Sequence, residues 1–170
     1  MDAIECETLS LQDWLAVTGR DPSAFGAVGS RLAWRPKDRY VVVRDAGGHV
    51  AATGGVVRAA VAVAGGEPFD VAGIGGVVVA PAFRERGLMT QVMSAVRAMA
   101  DRLGLDHAMI FCNPELEGLY HRRGYTTIAE PVTVDQPGGP ITMPLVALHR
   151  PIRPGAVWPA GPVAVDGLPF

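Results

Sequence analysis

An α/β domain built on a mixed sheet is what this sequence predicts, and three observations carry that reading. Strand-like and helix-like segments follow in the order strands, helix, strand, helix, strands, which calls for a sheet covered by helices. Met89, Val92, Met93, Val96, Met99, Ala100 and Leu103 recur at three- and four-residue steps, the spacing of a helix with one wide apolar face. Ala108-Met109-Ile110-Phe111-Cys112 is apolar without interruption, as a strand buried on both faces requires.

Each element has its own local signal. Residues 9–17 place Leu11, Trp14, Leu15 and Val17 near helical spacing behind Ser10, whose hydroxyl suits an N-cap, and Gly19-Arg20-Asp21-Pro22 ends that helix. A further helical turn is predicted over residues 25–32. Residues 40–44 read as a strand, closed by the turn Asp45-Ala46-Gly47-Gly48. Val- and Ala-rich strands over 49–63 and 69–79, joined by Gly65-Gly66-Glu67-Pro68, read as an antiparallel hairpin. The long helix closes at Arg102-Leu103-Gly104, a basic last turn followed by glycine. Its stripe of Met89, Met93 and Met99 reads as core. Pro114 opens a short helix with Leu116, Leu119 and Tyr120 on one face, ended at Gly124. Strands over 125–134 and 141–148 follow, separated by Pro137-Gly138-Gly139-Pro140.

Composition bounds the function. With 170 residues, 49% of them apolar, the chain fits one domain whose core needs neither disulfide nor metal. The domain is placed at residues 1–150, with a Pro-rich tail over 151–170. A net charge of −2 without runs of like charge offers no footprint for nucleic acid or an anionic membrane. The acidic start Met1-Asp2-Ala3-Ile4-Glu5 lacks signal-peptide order and no apolar run matches a membrane span, so a cytoplasmic location is expected. Cys6 and Cys112 belong to no metal-binding or disulfide pattern. His107 and His121 read as surface histidines without an assigned role.

The stretch from Val77 to Thr90 carries the chemistry: a strand stops at Pro81, a basic loop turns at Gly87, and a helix begins. Such a junction aims unpaired backbone N–H groups and the positive helix end at one point, which suits a diphosphate, and Arg84 and Arg86 add donors. A generic strand-to-helix turn with solvated arginines is the alternative reading of this segment alone. A GxxxxGK[ST] loop is absent, which excludes nucleotide hydrolysis of that type.

Val79-Ala80-Pro81 followed by Arg84-Glu85-Arg86-Gly87-Leu88-Met89 resembles the cofactor signature of the GCN5-related N-acetyltransferase (GNAT) superfamily. Met89 stands where that family keeps Gly or Ala. A second block, Phe111-Cys112-Asn113-Pro114 with Leu119-Tyr120 and Gly124-Tyr125, is similar to the family's second half at the expected distance. The resemblance implies a single GNAT-like domain, a mixed, mostly antiparallel sheet with splayed central parallel strands, and acetyl-CoA as cosubstrate. It implies that Val77 and Val79 offer backbone groups to the acetyl carbonyl and pantetheine, and that Arg84, Arg86, Gly87, Leu88, Met89 and Thr90 hold the diphosphate. It further implies that Asn113 binds the pantetheine side and that Tyr120 faces the thioester sulfur as general acid.

Acyl transfer to an amine passes through an oxyanion that a fixed backbone donor stabilises, and a phenol protonated at neutral pH can protonate the leaving thiolate. A core aromatic on an amphipathic helix is the structural reading of Tyr120. The amine must also lose a proton, yet the strand where many family members carry an acid reads Gly73-Ile74-Gly75-Gly76. Asp70, Glu67, His49 and a water relay remain as bases. The predicted function is transfer of acetyl to an amine of a small molecule through a direct ternary complex, by a monomer or homodimer. A CoA-binding or interaction module without turnover is the alternative. The strand layout and tail are similar to those of aminoglycoside N-acetyltransferases, from whose acidic position Gly75 departs.

In the tail, Pro151, Pro154, Pro159, Pro162 and Pro169 forbid a regular helix and disfavour an internal strand. Trp158, Val163, Val165, Leu168 and Phe170 predict that it packs along the domain in extended form, either walling the acceptor side, with the Phe170 carboxylate facing a cationic amine, or covering a sheet edge or dimer contact.

Overall fold

Val, Ala and Gly dominate the two longest strands, β3 (Val50–Val63) and β4 (Phe69–Val79), and their hairpin is the spine of the sheet. In the computed structural model, which describes residues 1–19 and 25–170, the other strands are β1 (Ala3–Cys6), β2 (Arg39–Arg44), β5 (His107–Cys112), β6 (Thr126–Thr127), β7 (Val132–Val134), β8 (Ile141–Thr142), β9 (Val146–Pro151) and β10 (Val163–Val165). The main path runs β6-β9-β5-β4-β3-β10-β7-β8, with β2 on β3 and β1 on β2. Among the described residues only β4–β5 and β7–β10 pair in parallel, so the sheet is mixed and mostly antiparallel, as predicted.

The helices are α1 (Leu11–Thr18), α2 (Gly26–Gly29), α3 (Leu88–Arg102) and α4 (Glu117–His121). Ser10 caps α1, its Oγ accepting from the Asp13 amide at 3.0 Å, and Gly19 closes it at φ 68. The predicted end residues Arg20, Asp21 and Pro22 lie outside the described residues. The apolar stripe of α3 buries Leu88, Val92, Met93, Val96, Met99 and Ala100 against one face of the sheet. At about 1.5–3 kcal/mol for each large apolar side chain removed from water, this is the principal clamp on that face. The opposite face is filled by Val57, Val61, Met109, Phe111, Leu145, Val163, Val165 and Phe170.

Four expectations are corrected. The strand predicted over 125–134 is two, β6 and β7, because Pro131 lacks the N–H a continuous ladder needs. That over 141–148 splits at Pro144 for the same reason, and β9 runs on to Pro151. β1 carried no sequence prediction, being only four residues long. The tail supplies an internal strand after all: its proline-free segment Val163–Val165 lies between β3 and β7. His107, read as a surface residue, is buried beneath Trp158 of the tail, ring centroids 5.1 Å apart.

One edge of β3 therefore serves two strands in tandem. β2 pairs with residues from Val50 to Val56 and β10 with Val61 to Val63. Between them the loop around Arg35 meets the tail, the Arg35 amide donating to the Pro169 carbonyl at 2.7 Å.

Candidate active site

The cleft originates in a bulge. Thr53 faces Val78 and Gly55 faces Gly75, so Gly76 and Val77 of β4 oppose the single Gly54 of β3. Gly76 takes φ 62, a left-handed angle that glycine adopts without the steric cost of a Cβ. A bulge bends its strand, and β4 leaves β5 here: the parallel ladder runs only from Ala72–Ala108 to Ile74–Ile110. β5 continues on β9 as far as Cys112. The central strands are thus splayed beyond Ile74, and Val77 and Val79 lie on the diverging arm.

At the end of that arm the chain turns through Pro81–Phe83 into α3. Gly87 heads the helix at φ 76 with no side-chain cap, and no acid occupies the first turn. The Thr90 amide bonds the Gly87 carbonyl at 3.0 Å, leaving the leading amides of Leu88 and Met89 aimed outward. Arg84, Glu85 and Arg86 are exposed beside them, Glu85 in a left-handed conformation at φ 62, and the Arg86 guanidinium lies 5.3 Å from the Phe83 ring centroid. Met89, the departure from the signature, is partly buried and packs against the core. This junction is a cradle of N–H donors and positive charge fitted to an anion.

Where β4 and β5 part, a cavity of about 330 Å³ opens, lined on one side by Val77, Cys112, Asn113, Leu116 and Tyr120. Tyr120 is 4% exposed, edge-on to Tyr125 at 5.8 Å, and its phenol makes no hydrogen bond among the described residues. Burial, with the neighbouring Cys112 and Tyr125, pushes that phenol above its ordinary range, so it keeps its proton at neutral pH. Burial and the nearby Glu117 and Glu115 push the Cys112 thiol up to about 12, leaving it neutral. The Asn113 side-chain amide donates to the Phe25 carbonyl at 2.9 Å and ties the α2 segment to the cleft. Arg123 links α4 to the start of α3, donating to the Leu119 carbonyl at 3.1 Å and to Thr90 Oγ1 at 3.3 Å.

The other side of the cavity is formed by Trp14, Phe25, Trp34, Arg35, Lys37, Tyr40, Leu145 and Phe170, with Gly75 at its floor. Trp14 stacks on Phe25 at 5.5 Å, and α1 is held by a bidentate Arg44–Asp13 pair with N···O distances of 3.0 and 2.8 Å. Sequence reasoning identified none of Arg35, Lys37, Trp14 or Trp34 as site residues. Asp70, Glu67 and His49 are not in the lining: Asp70 pairs with Arg58 at 2.9 Å, and His49 faces Asp45 in the β2–β3 turn. His121 is exposed and meets Thr127 Oγ1 at 2.8 Å. Among the described residues no cluster of three His, Cys, Asp or Glu could hold a metal ion, and no helix is long and apolar enough to cross a membrane.

Residues 23–128 match the family described as the acetyltransferase (GNAT) domain. The chain belongs to the GNAT family. Solved GNAT structures share the fold: an N-acetyltransferase of Escherichia coli (YhbS) in complex with CoA superposes with a TM-score of 0.62 at 17% identity, over 98% of this chain and 91% of that one. An N-acetylglutamate synthase of Neisseria gonorrhoeae, complexed with coenzyme A and N-acetyl-glutamate, gives 0.60 at 10% identity, over 90% of this chain and 36% of that one. A GCN5-related N-acetyltransferase of Kribbella flavida gives 0.54 at 25% identity, over 75% of this chain and 34% of its own. No curated protein sequence matches the chain. Within this GNAT domain the splay and Tyr120 border one cavity, whose second wall comes from segments distant in sequence, and the α3 junction lies at the end of the diverging β4 arm.

Proposed function

We propose that this GNAT protein transfers acetyl from acetyl-CoA to an amine of a small molecule within a ternary complex, with Tyr120 as general acid. The observation that carries the reading is a buried phenol, without a hydrogen bond among the described residues, at the point where β4 and β5 separate. The donor cradle fits the diphosphate: backbone amides from Arg86 to Thr90 would receive it, with Arg84 and Arg86 adding charge. The open edge of β4 at Val77 and Val79 would bond the pantetheine arm and the acetyl carbonyl, and Asn113 would close the arm's other side. Acetyl-CoA supplies an acyl group activated as a thioester. Tyr120 would supply a proton to the departing thiolate, and the aromatic wall would exclude water so that the amine competes for the acyl group.

One observation favours a CoA-binding module without turnover: no Asp or Glu side chain among the described residues lines the cavity. Two measurements separate the readings. Acetyl-CoA is expected to raise the Tm of the protein, since a ligand selective for the folded state stabilises it. Thiol release from acetyl-CoA is then expected with members of an amine panel. A Tm shift with no release above the hydrolytic background for any amine would leave only the binding module.

A further inference from the structure

Gly73 and Gly75 lie two apart on β4, so both face the same side of the sheet, and Phe170 occupies the space above them. A Cβ on Gly73 would stand 2.5 Å from Cγ of the Phe170 ring, and one on Gly75 would stand 2.5 Å from the Phe170 carboxyl carbon and 2.9 Å from its oxygen. The ring is buried and tilted against Phe111, centroids 5.1 Å apart. The two glycines therefore accommodate one residue between them: the first receives its ring and the second its α-carboxyl group. An acidic side chain at position 75 and the Phe170 carboxyl group would compete for one place.

The tail is held so as to deliver that group. The Arg35 amide donates to the Pro169 carbonyl at 2.7 Å, its Nε to the Leu168 carbonyl at 3.1 Å and its Nη2 to the Asp166 carbonyl. The Asp166 amide donates to the Ala60 carbonyl at 2.9 Å and the Asp135 amide to the Gly167 carbonyl at 3.0 Å, so each residue leading to Phe170 is tied in place. Gly75 and Phe170 border the same cavity as Val77 and Tyr120, and among the described residues no Asp or Glu side chain lines it. Lys37 flanks the carboxyl group, its Cε 2.9 Å from the same would-be Cβ of Gly75. Burial, reinforced by the Arg35 charge, pulls the Lys37 ammonium down to about 8, which leaves it mostly charged at pH 7 and able to keep the neighbouring carboxyl group ionised. A carboxylate offers about four lone-pair sites, so pairing with Lys37 leaves room for a second cation.

We infer that the α-carboxylate of Phe170 is the catalytic base of the acceptor site, pairing with the ammonium group of the incoming amine and taking its proton. This deepens the acyl-transfer reading and rests on it. One proton passes from the ammonium to the carboxylate and on to solvent, and the freed lone pair forms the C–N bond. The C–S bond breaks with its electron pair on sulfur, which takes the Tyr120 proton. The second proton of the attacking nitrogen restores the phenol. Base and acid thus come from different elements, the tail over β4 and α4.

Changing the carboxyl group alone tests this. Semisynthesis of the full chain with a Phe170 carboxamide keeps the size of the group and removes its charge. Thiol release from acetyl-CoA would be compared between this protein and the parent with 2-phenylethylamine, tryptamine, hexylamine, spermidine and glucosamine. For any amine the parent accepts, the carboxamide is expected to lower kcat/KM about 100-fold or more at pH 7, as for loss of a general base, and to recover as rising pH frees the amine. The Tm shift given by acetyl-CoA should be retained. Should amidation weaken the fold by leaving Lys37 unpaired, Lys37→Met with and without the carboxamide repeats the comparison in a background free of that cation, and the same loss is expected. A carboxamide with the kcat/KM and pH profile of its carboxylate counterpart, or a loss that no rise in pH repairs, would overturn the inference. The parent protein judges the acyl-transfer reading separately: no release with any of the five amines removes that reading and the base with it, whereas equal release from parent and carboxamide removes the base alone.

Discussion

The α3 junction and the cavity's far wall are built in different ways. The junction at the start of α3 comes from one contiguous stretch, residues 76–90, in which a bulge, a proline and a glycine set the geometry locally. The wall around Lys37 is assembled from α1, the loop before β2, β4, β5, the loop before β9 and the tail. The first is a property of a short sequence. The second exists only in the folded whole, and that is why two arms of one site differ so much in what their residues reveal.

The sharpest way to break this comparison is at the point where the walls meet. Tyr120→Phe conserves the packing on Tyr125 and removes only the proton, so turnover is expected to fall roughly 10- to 10⁴-fold with acetyl-CoA affinity retained. Single-turnover thiol release checks this. A rate equal to that of the parent protein, with chemistry limiting, would make Tyr120 a packing residue and remove its role as general acid.

A second test sets two glycines against each other. Gly75 belongs to the assembled wall and must be glycine for lack of room, whereas Gly87 has no atom within 4 Å of a would-be Cβ and must be glycine only for its φ of +76. Gly75→Asp, which restores an acid to the strand, is expected to cost about 2–4 kcal/mol through overpacking on Phe170 and Lys37. Gly87→Ala should cost about 1–2 kcal/mol, the strain of a left-handed alanine. Gly87→Asn, a residue more tolerant of that conformation, should recover part of it, while Gly75→Asn should recover nothing. Urea unfolding of the four variants decides whether space and backbone angle divide between the walls in this way.

The smallest effect concerns how the tail is held. His149 stacks on Trp158 at 4.7 Å, and the Nδ1 atoms of His149 and His107 and the Trp158 Nε1 are buried without partners. Burial and the neighbouring His107 pull His149 down to about 4 from an ordinary 6.5. Its folded pKa is the lower one, so its contribution is complete above 6.5 and is lost as pH falls from there to about 4. The loss should be on the order of 1 kcal/mol, since solvent screens part of the half-buried ring. His149→Phe is expected to flatten stability over that window in urea unfolding followed by Trp158 fluorescence. An unchanged slope would locate the acid sensitivity elsewhere.

What could be read in the sequence follows the same division. The stripe of α3, the apolar run of β5 and the loop from Pro81 to Gly87 each state their structure within a few residues, since helical period, burial and backbone angle are local. The splay was implied by resemblance, yet its physical cause, one extra residue opposite Gly54, depends on register and is not written in β4 alone. Lys37 gave no local signal, being one charged residue between Pro36 and Asp38. Gly55 and Gly75 were visible, but what fills the space above them comes from elsewhere in the chain. Taken together, the prolines of the tail disfavour a strand, yet Val163–Val165 needs only three residues free of them to enter the sheet.

The contact between Arg35 and Leu168 spans 133 residues of chain, and that has a consequence in time. Closing so long a loop is entropically costly and rewards the chain only after β3 has offered its edge to both β2 and β10. Helix α3 and the hairpin can form from near neighbours, so the anion cradle precedes the acceptor wall as the chain folds. Contacts that arrive after the transition state govern how fast a protein comes apart rather than how fast it assembles. Weakening the Arg35 seam would therefore shorten the lifetime of the folded protein while leaving its folding rate nearly unchanged.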